Sequence, residues 1–402
     1  MRYQIHDLEL SRPLPEVALS QREGGVALLL RRDGRPIAFV MKRLRAGTAL
    51  TQGELAQLIA DKAAPEIIAA AVADELRGER VELDDLELTI AVCTHNRTDD
   101  LRACLESLLA IRRAQDDLIV VDNAPRDDST RALVESLNDV RYVRESKPGL
   151  DFARNRALHE ARGRYVAFLD DDVVVDAGWA AGLREAVADQ PDAAVITGLV
   201  LPYELQTLAQ ILFERRGGFR RGFRTLRYAG ERYPGNPLYP LGAGVFGAGA
   251  NMVVGKDVVL ELGGFDEALD TGATLPGGGD IDIFYRVLRA GHALAYEPRM
   301  LAFHKHRRSY RRMLRQYRSW GTGFHAFLQK TEANDPTVAA RVREMRRWWL
   351  RYQLRELVRG VRRRGPALPD QVLAELTGAL TASTGAYSRS QRRAERARKA
   401  VA

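Results

Sequence analysis

The segment Tyr165-Val-Ala-Phe-Leu-Asp-Asp-Asp-Val173 places three consecutive carboxylates directly after an apolar, strand-like run. Adjacent carboxylates repel one another unless a cation lies among their oxygens. Hard divalent cations such as Mg²⁺ or Mn²⁺ bind one or two protein carboxylates and complete their shell with phosphate oxygens and water. The segment therefore predicts either a solvated acidic turn or a metal site for a phosphorylated substrate at the end of a β-strand.

The residues around this segment alternate between apolar, strand-like runs and helical patterns. Strand-like runs occupy 88–93, 118–121, 140–143, 165–169 and 194–197, and helical patterns occupy 99–110, 129–137, 150–161 and 178–188. Such alternation predicts right-handed βαβ crossovers and a doubly wound, mostly parallel sheet. The expected fold class is α/β, with ligands in the crevice at the carboxyl ends of the strands.

The regions on either side of this central domain, residues 86–306, differ from it in pattern. Residues 1–85 contain two apolar runs around the turn Arg32-Asp33-Gly34-Arg35, which predicts a β-hairpin, followed by helices at 54–60 and 64–76. They are expected to form a small α+β domain without a catalytic constellation. Residues 307–402 are basic and helical throughout. A chain of 402 residues has room for all three parts.

The bulk composition excludes several classes of protein. Two cysteines, Cys93 and Cys104, cannot form a disulfide framework, which favours a reducing compartment. The first residues are charged, so no signal peptide is expected. The sequence contains no run of about 20 apolar residues, so no transmembrane helix is expected either. The formal net charge is +8, and most of the excess lies after His304. The expected location is the cytoplasm, with peripheral attachment to the inner face of the plasma membrane as an option.

Polar groups follow three of the predicted strands. They are Thr94-His-Asn-Arg97, Asp122 and the triplet Asp170-Asp171-Asp172. In a parallel sheet all three groups face one crevice, and their chemistry suits a nucleoside diphosphate. Asp122 can accept a hydrogen bond from a pyrimidine N–H, Asp170 can reach ribose hydroxyls, and Asp172 can bind the metal that neutralises a departing diphosphate.

Further candidate residues lie outside the three strand ends. Arg154 is near the start of a predicted helix, where the helix dipole favours an anion, although a surface arginine is the alternative. Asp280, in Gly277-Gly-Gly-Asp280-Ile-Asp282, is either a helix cap or a general base. His304 and His306 follow a strand-like stretch, and either imidazole could bind the metal or contact phosphate.

These motifs, in this order, resemble those of family 2 glycosyltransferases. The resemblance covers about residues 86–306 and rests on Val92–Arg97, Val120–Ala124, Gly149–Asn155, Phe168–Asp172, Gly249–Met252 and Gly278–Asp282. It implies a GT-A fold, a nucleotide-diphosphate sugar donor, Mn²⁺ or Mg²⁺, and inversion at the anomeric carbon. By this resemblance Asp122 binds the base, Asp170 and Asp172 form the D-x-D metal motif, and Asp280 is the catalytic base. Many members have Glu-Asp where this chain has Gly279-Asp280, so Asp282 remains a second candidate for the base.

The complete set of expected site residues follows from these motifs. The base is Asp280 or Asp282; the donor is bound by Thr94, Asn96, Arg97, Asp122, Arg154, Asp170 and Asp171; the acceptor by Asn251, Gly278 and Gly279; and the metal by Asp170, Asp172, His304 and His306. The expected acceptor is a hydroxyl group, lipid-linked or not, of a cell-envelope polysaccharide, glycolipid or related glycoconjugate.

Two other classes of function compete with sugar transfer. A nucleotidyltransferase acting on sugar phosphates also uses paired aspartates on a doubly wound sheet, but the loop Thr94–Arg97 lacks the glycines that such enzymes use to bind phosphate. A non-enzymatic adaptor for membranes or nucleic acids would explain only the basic tail. Interleaved arginines, tryptophans and leucines over 341–364 predict a helix lying on an anionic membrane, or a basic helix packed on its own domain. Nucleic acid is not an expected partner.

Overall fold

A small sheet covered by one long helix forms the amino-terminal part of the molecule. The computed structural model describes residues 1–76, 83, 85–270 and 275–400. The first elements are β1 (Arg2–Glu9), β2 (Val17–Ala18), β3 (Glu23–Arg32), β4 (Arg35–Arg43), β5 (Ala49–Leu50) and α1 (Gln52–Leu76). β3 and β4 form the predicted hairpin, and Asp33 and Gly34 at its turn both have positive φ. β1 adds to β3 in parallel, a pairing that the local pattern did not indicate.

The helix α1 differs from the two helices predicted for this region. It continues through Pro65, which was expected near the start of a second helix. A proline inside a helix removes one backbone hydrogen bond, but alanines flank it on the amino-terminal side and favour the helical state. The two predicted helices are therefore one.

A nine-stranded sheet forms the centre of the molecule. Its strands are β6 (Leu88–Thr94), β7 (Asp117–Asn123), β8 (Arg141–Glu145), β9 (Tyr165–Asp170), β10 (Val173–Val175), β11 (Ala193–Pro202), β12 (Leu226–Tyr228), β13 (Asn251–Gly255) and β14 (Ala293–His304). The order is β10-β14-β11-β13-β9-β6-β7-β8, with β12 beside β14. β6, β7, β8, β9, β11 and β14 run in one direction, and β10, β12 and β13 run against their neighbours. The mostly parallel α/β sheet is therefore confirmed.

Helices cover this sheet and extend into the carboxyl-terminal part. They are α2 (Thr98–Leu109), α3 (Ser129–Glu135), α4 (Leu150–Glu160), α5 (Trp179–Asp189), α6 (Leu208–Arg215), α7 (Lys256–Glu261) and α8 (Gly279–Arg289), followed by α9 (Tyr310–Asn334), α10 (Ala339–Val361), α11 (Pro369–Ser383) and α12 (Ala386–Lys399). Among the described residues, no helix has both the length and the apolar character that a bilayer span requires.

One hydrophobic core joins the three parts of the chain. Leu29 and Phe39 of the amino-terminal sheet, Phe246 beside the central sheet, and Val342 and Met345 of α10 belong to the same buried cluster. A buried ion pair also links the amino-terminal unit to the central sheet, because Arg31 contacts Asp176, just after β10, at 2.6 Å. Contacts that cross the expected boundaries near residues 85 and 306 therefore hold the parts together.

Glycines allow α9 and α11 to pack backbone against backbone. A Cβ atom added to Gly378 of α11 would overlap the carbonyl oxygen of Arg318 in α9, and one added to Gly321 of α9 would overlap that of Glu375. Larger side chains at these positions would force the helices apart.

We expect Gly378→Ala to lower the free energy of unfolding by about 1–3 kcal/mol, the usual cost of overpacking. Gly53→Ala in α1 is the matched control, because its added methyl group meets no other atom within 4 Å. That substitution should raise stability by about 0.5–1 kcal/mol through helix propensity alone. Thermal unfolding of the two variants should give shifts in Tm of opposite sign, and shifts of the same sign would contradict this packing.

Candidate active site

The site lies at the carboxyl ends of the adjacent strands β6 and β9, where the order of the parallel strands reverses. Thr94, the last residue of β6, is paired in register with Asp122 of β7, and Cys93 is paired with Asp170 of β9. The polar groups predicted at the three strand ends are therefore neighbours along one edge of the sheet. This is the switch point at which doubly wound sheets bind ligands.

Asp122, at the end of β7, has one carboxylate oxygen without a partner among the described residues. The residue is fully buried, and its Oδ2 accepts a hydrogen bond from the Tyr142 hydroxyl at 3.0 Å. Its buried Oδ1 has no hydrogen-bond partner among the described residues, and burial raises the pKa of the carboxyl group. An unpaired buried acceptor is costly, which favours a ligand that donates an N–H at this point. Tyr142, which orients the carboxylate, was not among the predicted site residues.

The three carboxylates of the triplet have different partners. Asp171 accepts hydrogen bonds from the Thr94 hydroxyl at 2.8 Å and from Arg97 at 2.9 Å, so protein groups occupy both of its oxygens. Asp172 Oδ2 accepts from Arg97 at 3.1 Å and from Arg307 at 3.3 Å. The two guanidinium groups place positive charge beside the triplet. Arg307 was also missed by the sequence reasoning, although it follows the predicted histidines directly.

Asp170, Asp172 and His304 form a group that can hold a metal ion. One ligand atom from each lies within 4.8 Å of the others, and His304 Nε2 is 3.2 Å from Asp172 Oδ1. Burial and the adjacent Asp172 raise the pKa of Asp170 to about 7, whereas burial lowers the pKa of His304 to about 4 and keeps its imidazole neutral. Two carboxylates and a neutral imidazole are a suitable donor set for a divalent cation, which would relieve the repulsion between the carboxylates. The residues present therefore fit a metal.

His306 lies behind His304 rather than in this group. The Nδ1 atoms of the two rings are 3.0 Å apart, and His306 Nε2 is 2.8 Å from Glu214 Oε1. Phe213 and Phe219 surround the two imidazoles. Of the two histidines predicted as metal ligands, His304 is therefore the one that the structure brings to Asp170 and Asp172.

Asp280 is held in a fixed orientation in the first turn of α8. Its Oδ2 accepts a hydrogen bond from the backbone N–H of Gly249 at 3.0 Å, and its Oδ1 from that of Ile281 at 2.8 Å. The cap residue of α8 is Gly278, so Asp280 does not occupy the N-cap position that was its structural alternative. Each carboxylate oxygen retains a second lone pair with which it can accept a proton.

Asp282 has a different environment on the same helix. It is 2% exposed, and its Oδ2 lies 2.7 Å from both Arg286 of α8 and Lys330 of α9. Lys330 also contacts Asp266 at 2.9 Å. The structure thus places Asp282 in a buried ionic network that ties α8 to α9.

Arg154 lies among carboxylates in the wall between the metal-binding group and Asp280. It contacts Asp151 at 3.1 Å and Asp270 at 3.8 Å, and the charges of Asp170 and Asp280 also raise its pKa. Burial raises the pKa of Asp270 to about 6. The arginine was predicted to bind a donor anion, but its charge already neutralises acidic groups of the protein.

Protein contacts surround three further predicted residues, Asn251, Gly278 and Gly279. Asn251 is buried and bonded to the Trp179 indole and to the backbone carbonyls of Leu199 and Met300. Gly278, with φ of 116°, packs against the backbone of Gly323 in α9. A Cβ atom added to Gly279 would overlap Asp151. Asn96 is exposed, and its side-chain Oδ1 accepts a hydrogen bond from the backbone N–H of Arg126 at 3.0 Å.

Comparisons with known proteins place this geometry in a family. The profile described as "Glycosyl transferase family 2" matches residues 89–238, and "Glycosyl transferase family group 2" matches residues 165–362. The succinoglycan biosynthesis protein ExoM of Rhizobium meliloti is 32% identical over 223 residues, which are 54% of this chain and 65% of that protein. The pre-mycofactocin glycosyltransferase of Mycobacterium tuberculosis is 28% identical over 229 residues, 55% of this chain and 43% of that protein.

A solved structure is similar at a lower level. The mannosyltransferase PcManGT from Pyrobaculum calidifontis, in complex with GDP-Man and Mn²⁺, has 18% sequence identity and a TM-score of 0.46, and the match covers 82% of this chain and 91% of that one. The chain spans 65% of the length of ExoM and 43% of the length of the pre-mycofactocin glycosyltransferase. The two matching profiles overlap and together extend from residue 89 to residue 362, and the chain therefore belongs to the family 2 glycosyltransferases.

Proposed function

We propose that this protein transfers a sugar from a nucleotide-diphosphate sugar to a hydroxyl group of an acceptor, with inversion at the anomeric carbon. The observation that supports this most is the crevice itself. It joins the free acceptor atom of Asp122, the group formed by Asp170, Asp172 and His304, and the oriented carboxylate of Asp280. These are the parts needed to bind a base, a diphosphate and an attacking hydroxyl.

Donor binding would begin with the base and the diphosphate. Asp122 Oδ1 accepts a hydrogen bond from an N–H of the base. This role is favoured because the buried oxygen has no other partner among the described residues. Arg97 and Arg307 lie beside Asp172 and supply positive charge toward the diphosphate. Asp170, Asp172 and His304 would hold Mn²⁺ or Mg²⁺, which when bound supplies further positive charge for the leaving group.

The transfer step would be a single displacement. Asp280 takes the proton of the acceptor hydroxyl while the oxygen attacks the anomeric carbon, and the bond from that carbon to the diphosphate oxygen breaks. The backbone N–H groups of Gly249 and Ile281 keep the carboxylate aimed during this step. We assign Asp282 the role of anchoring α8 through Lys330, because both groups are buried in the same ion pair.

The acceptor we propose is a hydroxyl group of a cell-envelope polysaccharide or glycolipid. One relative is named as a protein of succinoglycan biosynthesis, and another, 24% identical, as a glucosyl-dolichyl phosphate glucuronosyltransferase. Release of UDP, GDP or dTDP from a panel of nucleotide sugars, with and without Mn²⁺, would identify the donor. Formation of pyrophosphate from a sugar phosphate and a nucleoside triphosphate would instead indicate a nucleotidyltransferase.

A helix face suited to an anionic membrane lies on the carboxyl-terminal part. Trp348, Leu350, Leu354 and Val358 of α10 are each about half exposed, and Arg347, Arg351, Arg355 and Arg359 alternate with them on the exposed side. The opposite side of α10, with Val342 and Met345, is buried in the main core. The buried side agrees with the prediction of a basic helix packed on its own domain, and the exposed side is the one that a membrane could contact. We propose that the outer face docks on anionic lipid at the inner face of the plasma membrane.

We expect Asp280→Asn to lower kcat by at least about 10²-fold, the contribution of a general base, with donor affinity nearly unchanged. The asparagine Oδ1 can still accept the Gly249 N–H, so the fold should be retained. Asp282→Asn is the matched control: it should lower Tm by weakening the pair with Lys330 while the remaining activity per folded molecule stays high. If Asp282→Asn lowered kcat by this factor and Asp280→Asn did not, Asp282 would be the base.

We expect Asp172→Asn to abolish metal-dependent turnover, because it removes a charged ligand from the group with Asp170 and His304. Activity should be measured against Mn²⁺ and Mg²⁺ concentration, with the fold checked by circular dichroism. Asp176→Asn is the control for loss of a nearby, partly buried carboxylate, because Asp176 pairs with Arg31 rather than with this group. If the Asp172→Asn variant kept an unchanged dependence on metal concentration, the proposed metal site would be wrong.

We expect Arg347→Gln with Arg351→Gln to weaken sedimentation with phosphatidylglycerol vesicles by about 30-fold, since each surface arginine contributes about 1 kcal/mol. The control is the double variant Arg392→Gln with Arg396→Gln, which removes two positive charges from exposed positions of α12 instead of α10. Truncation before α10 is not a suitable test, because it would remove Val342 and Met345 from the core. Equal binding of both double variants, or binding that is insensitive to salt, would reject docking through α10.

A further inference from the structure

Three buried side chains form a hydrogen-bonded chain behind the metal-binding group. His304 Nδ1 lies 3.0 Å from His306 Nδ1, and His306 Nε2 lies 2.8 Å from Glu214 Oε1. The two histidines are each 4% exposed, and Glu214 of α6 is fully buried. None of the steps proposed above uses Glu214 or His306, although burying them has a cost in desolvation.

When each ring carries one hydrogen, counting those hydrogens gives the direction of the two hydrogen bonds. The Glu214 carboxylate can only accept, so the ring hydrogen of His306 is on Nε2. His306 Nδ1 then carries a lone pair, and the hydrogen in the contact between the two rings must belong to His304 Nδ1. His304 Nε2 is left with its lone pair directed at Asp172 Oδ1, 3.2 Å away. Two acceptors at this distance are favourable only with a cation between them.

We propose that Glu214 and His306 are positioning residues that fix the tautomer of His304 and so present its Nε2 lone pair to a divalent cation shared with Asp170 and Asp172. The inference rests on the metal site of the proposed function and identifies what orients one of its ligands. A hydrogen-bond acceptor behind a metal-binding histidine fixes the ring and makes it a better ligand. Here the acceptor is a second imidazole, which is in turn oriented by a carboxylate.

The surroundings keep this chain in one arrangement. Phe213 packs edge-on to His306 with ring centroids 4.7 Å apart, and Phe219 packs on His304 at 5.2 Å. The aromatic rings exclude water that would otherwise compete for the ring hydrogens. Arg220 Nε lies 3.2 Å from Glu214 Oε2, and the other carboxylate oxygen, Oε1, faces His306 Nε2.

The test is the affinity of the full-length protein for Mn²⁺ alone, measured from the electron paramagnetic resonance signal of the free ion. His306→Phe keeps a ring among the aromatic neighbours but removes the acceptor, and we expect about 10- to 100-fold weaker binding. Glu214→Gln keeps the shape and removes the charge, and it should give a smaller loss. Glu297→Gln is the matched control, since Glu297 is another buried carboxylate paired with an arginine, Arg299, and its affinity should equal that of the wild type.

Equal Mn²⁺ affinity in all four proteins, or no Mn²⁺ binding by the wild type, would overturn the proposal. If the variants do not fold, nitrogen-15 spectra of the histidine rings in the wild-type protein loaded with Zn²⁺ decide instead. They should show hydrogen on Nδ1 of His304 and on Nε2 of His306, and the opposite tautomers would overturn it. Mn²⁺ binding without sugar transfer would reject only the proposed function, whereas normal transfer with unchanged affinities would reject only the role of Glu214 and His306.

Discussion

Negative charge gathered at one edge of the central sheet is the constraint on which the rest of the structure depends. Asp170 ends β9, Asp171 and Asp172 follow it, and Asp280 and Asp282 lie in the first turn of α8. Buried carboxylates without partners would cost several kcal/mol each. The balancing cations come from separate parts of the chain: Arg97 after β6, Arg154 in α4, Arg307 after β14 and Lys330 in α9. The requirement for neutralisation thus brings these distant elements to one place.

Local pattern was enough to predict the parallel part of the sheet and the strand ends that carry Thr94, Asp122 and Asp170, because burial on both faces produces continuous apolar runs. It could not predict β13, whose antiparallel place between β9 and β11 depends on pairing with distant strands. It left the choice between neighbouring site residues open for the same reason. His306 pairs with Glu214 and His304 does not, and Asp282 pairs with Lys330 and Asp280 does not. These partners lie far away in sequence, so no motif contains them.

The amino-terminal unit has a physical connection to the site even though it supplies no proposed site residue. Arg31 contacts Asp7 at 2.7 Å in its own unit and Asp176 at 2.6 Å just after β10. β10 in turn pairs in register with the end of β14, with Val173 opposite His304. The unit therefore contacts the chain just after the strand that lies beside the metal-binding group.

The hydrophobic core that joins all three parts has a consequence for how the chain is made. Tyr3 bonds to the backbone of Leu205, and Leu29 and Phe39 share their core with Val342 and Met345. During synthesis the first strands leave the ribosome long before these partners exist. The sheet face with Leu29 and Phe39, opposite the one that α1 covers, must stay exposed, or be covered by a chaperone, until α10 has emerged. The carboxyl-terminal helices thus set the moment at which the whole protein, including its catalytic crevice, can become stable.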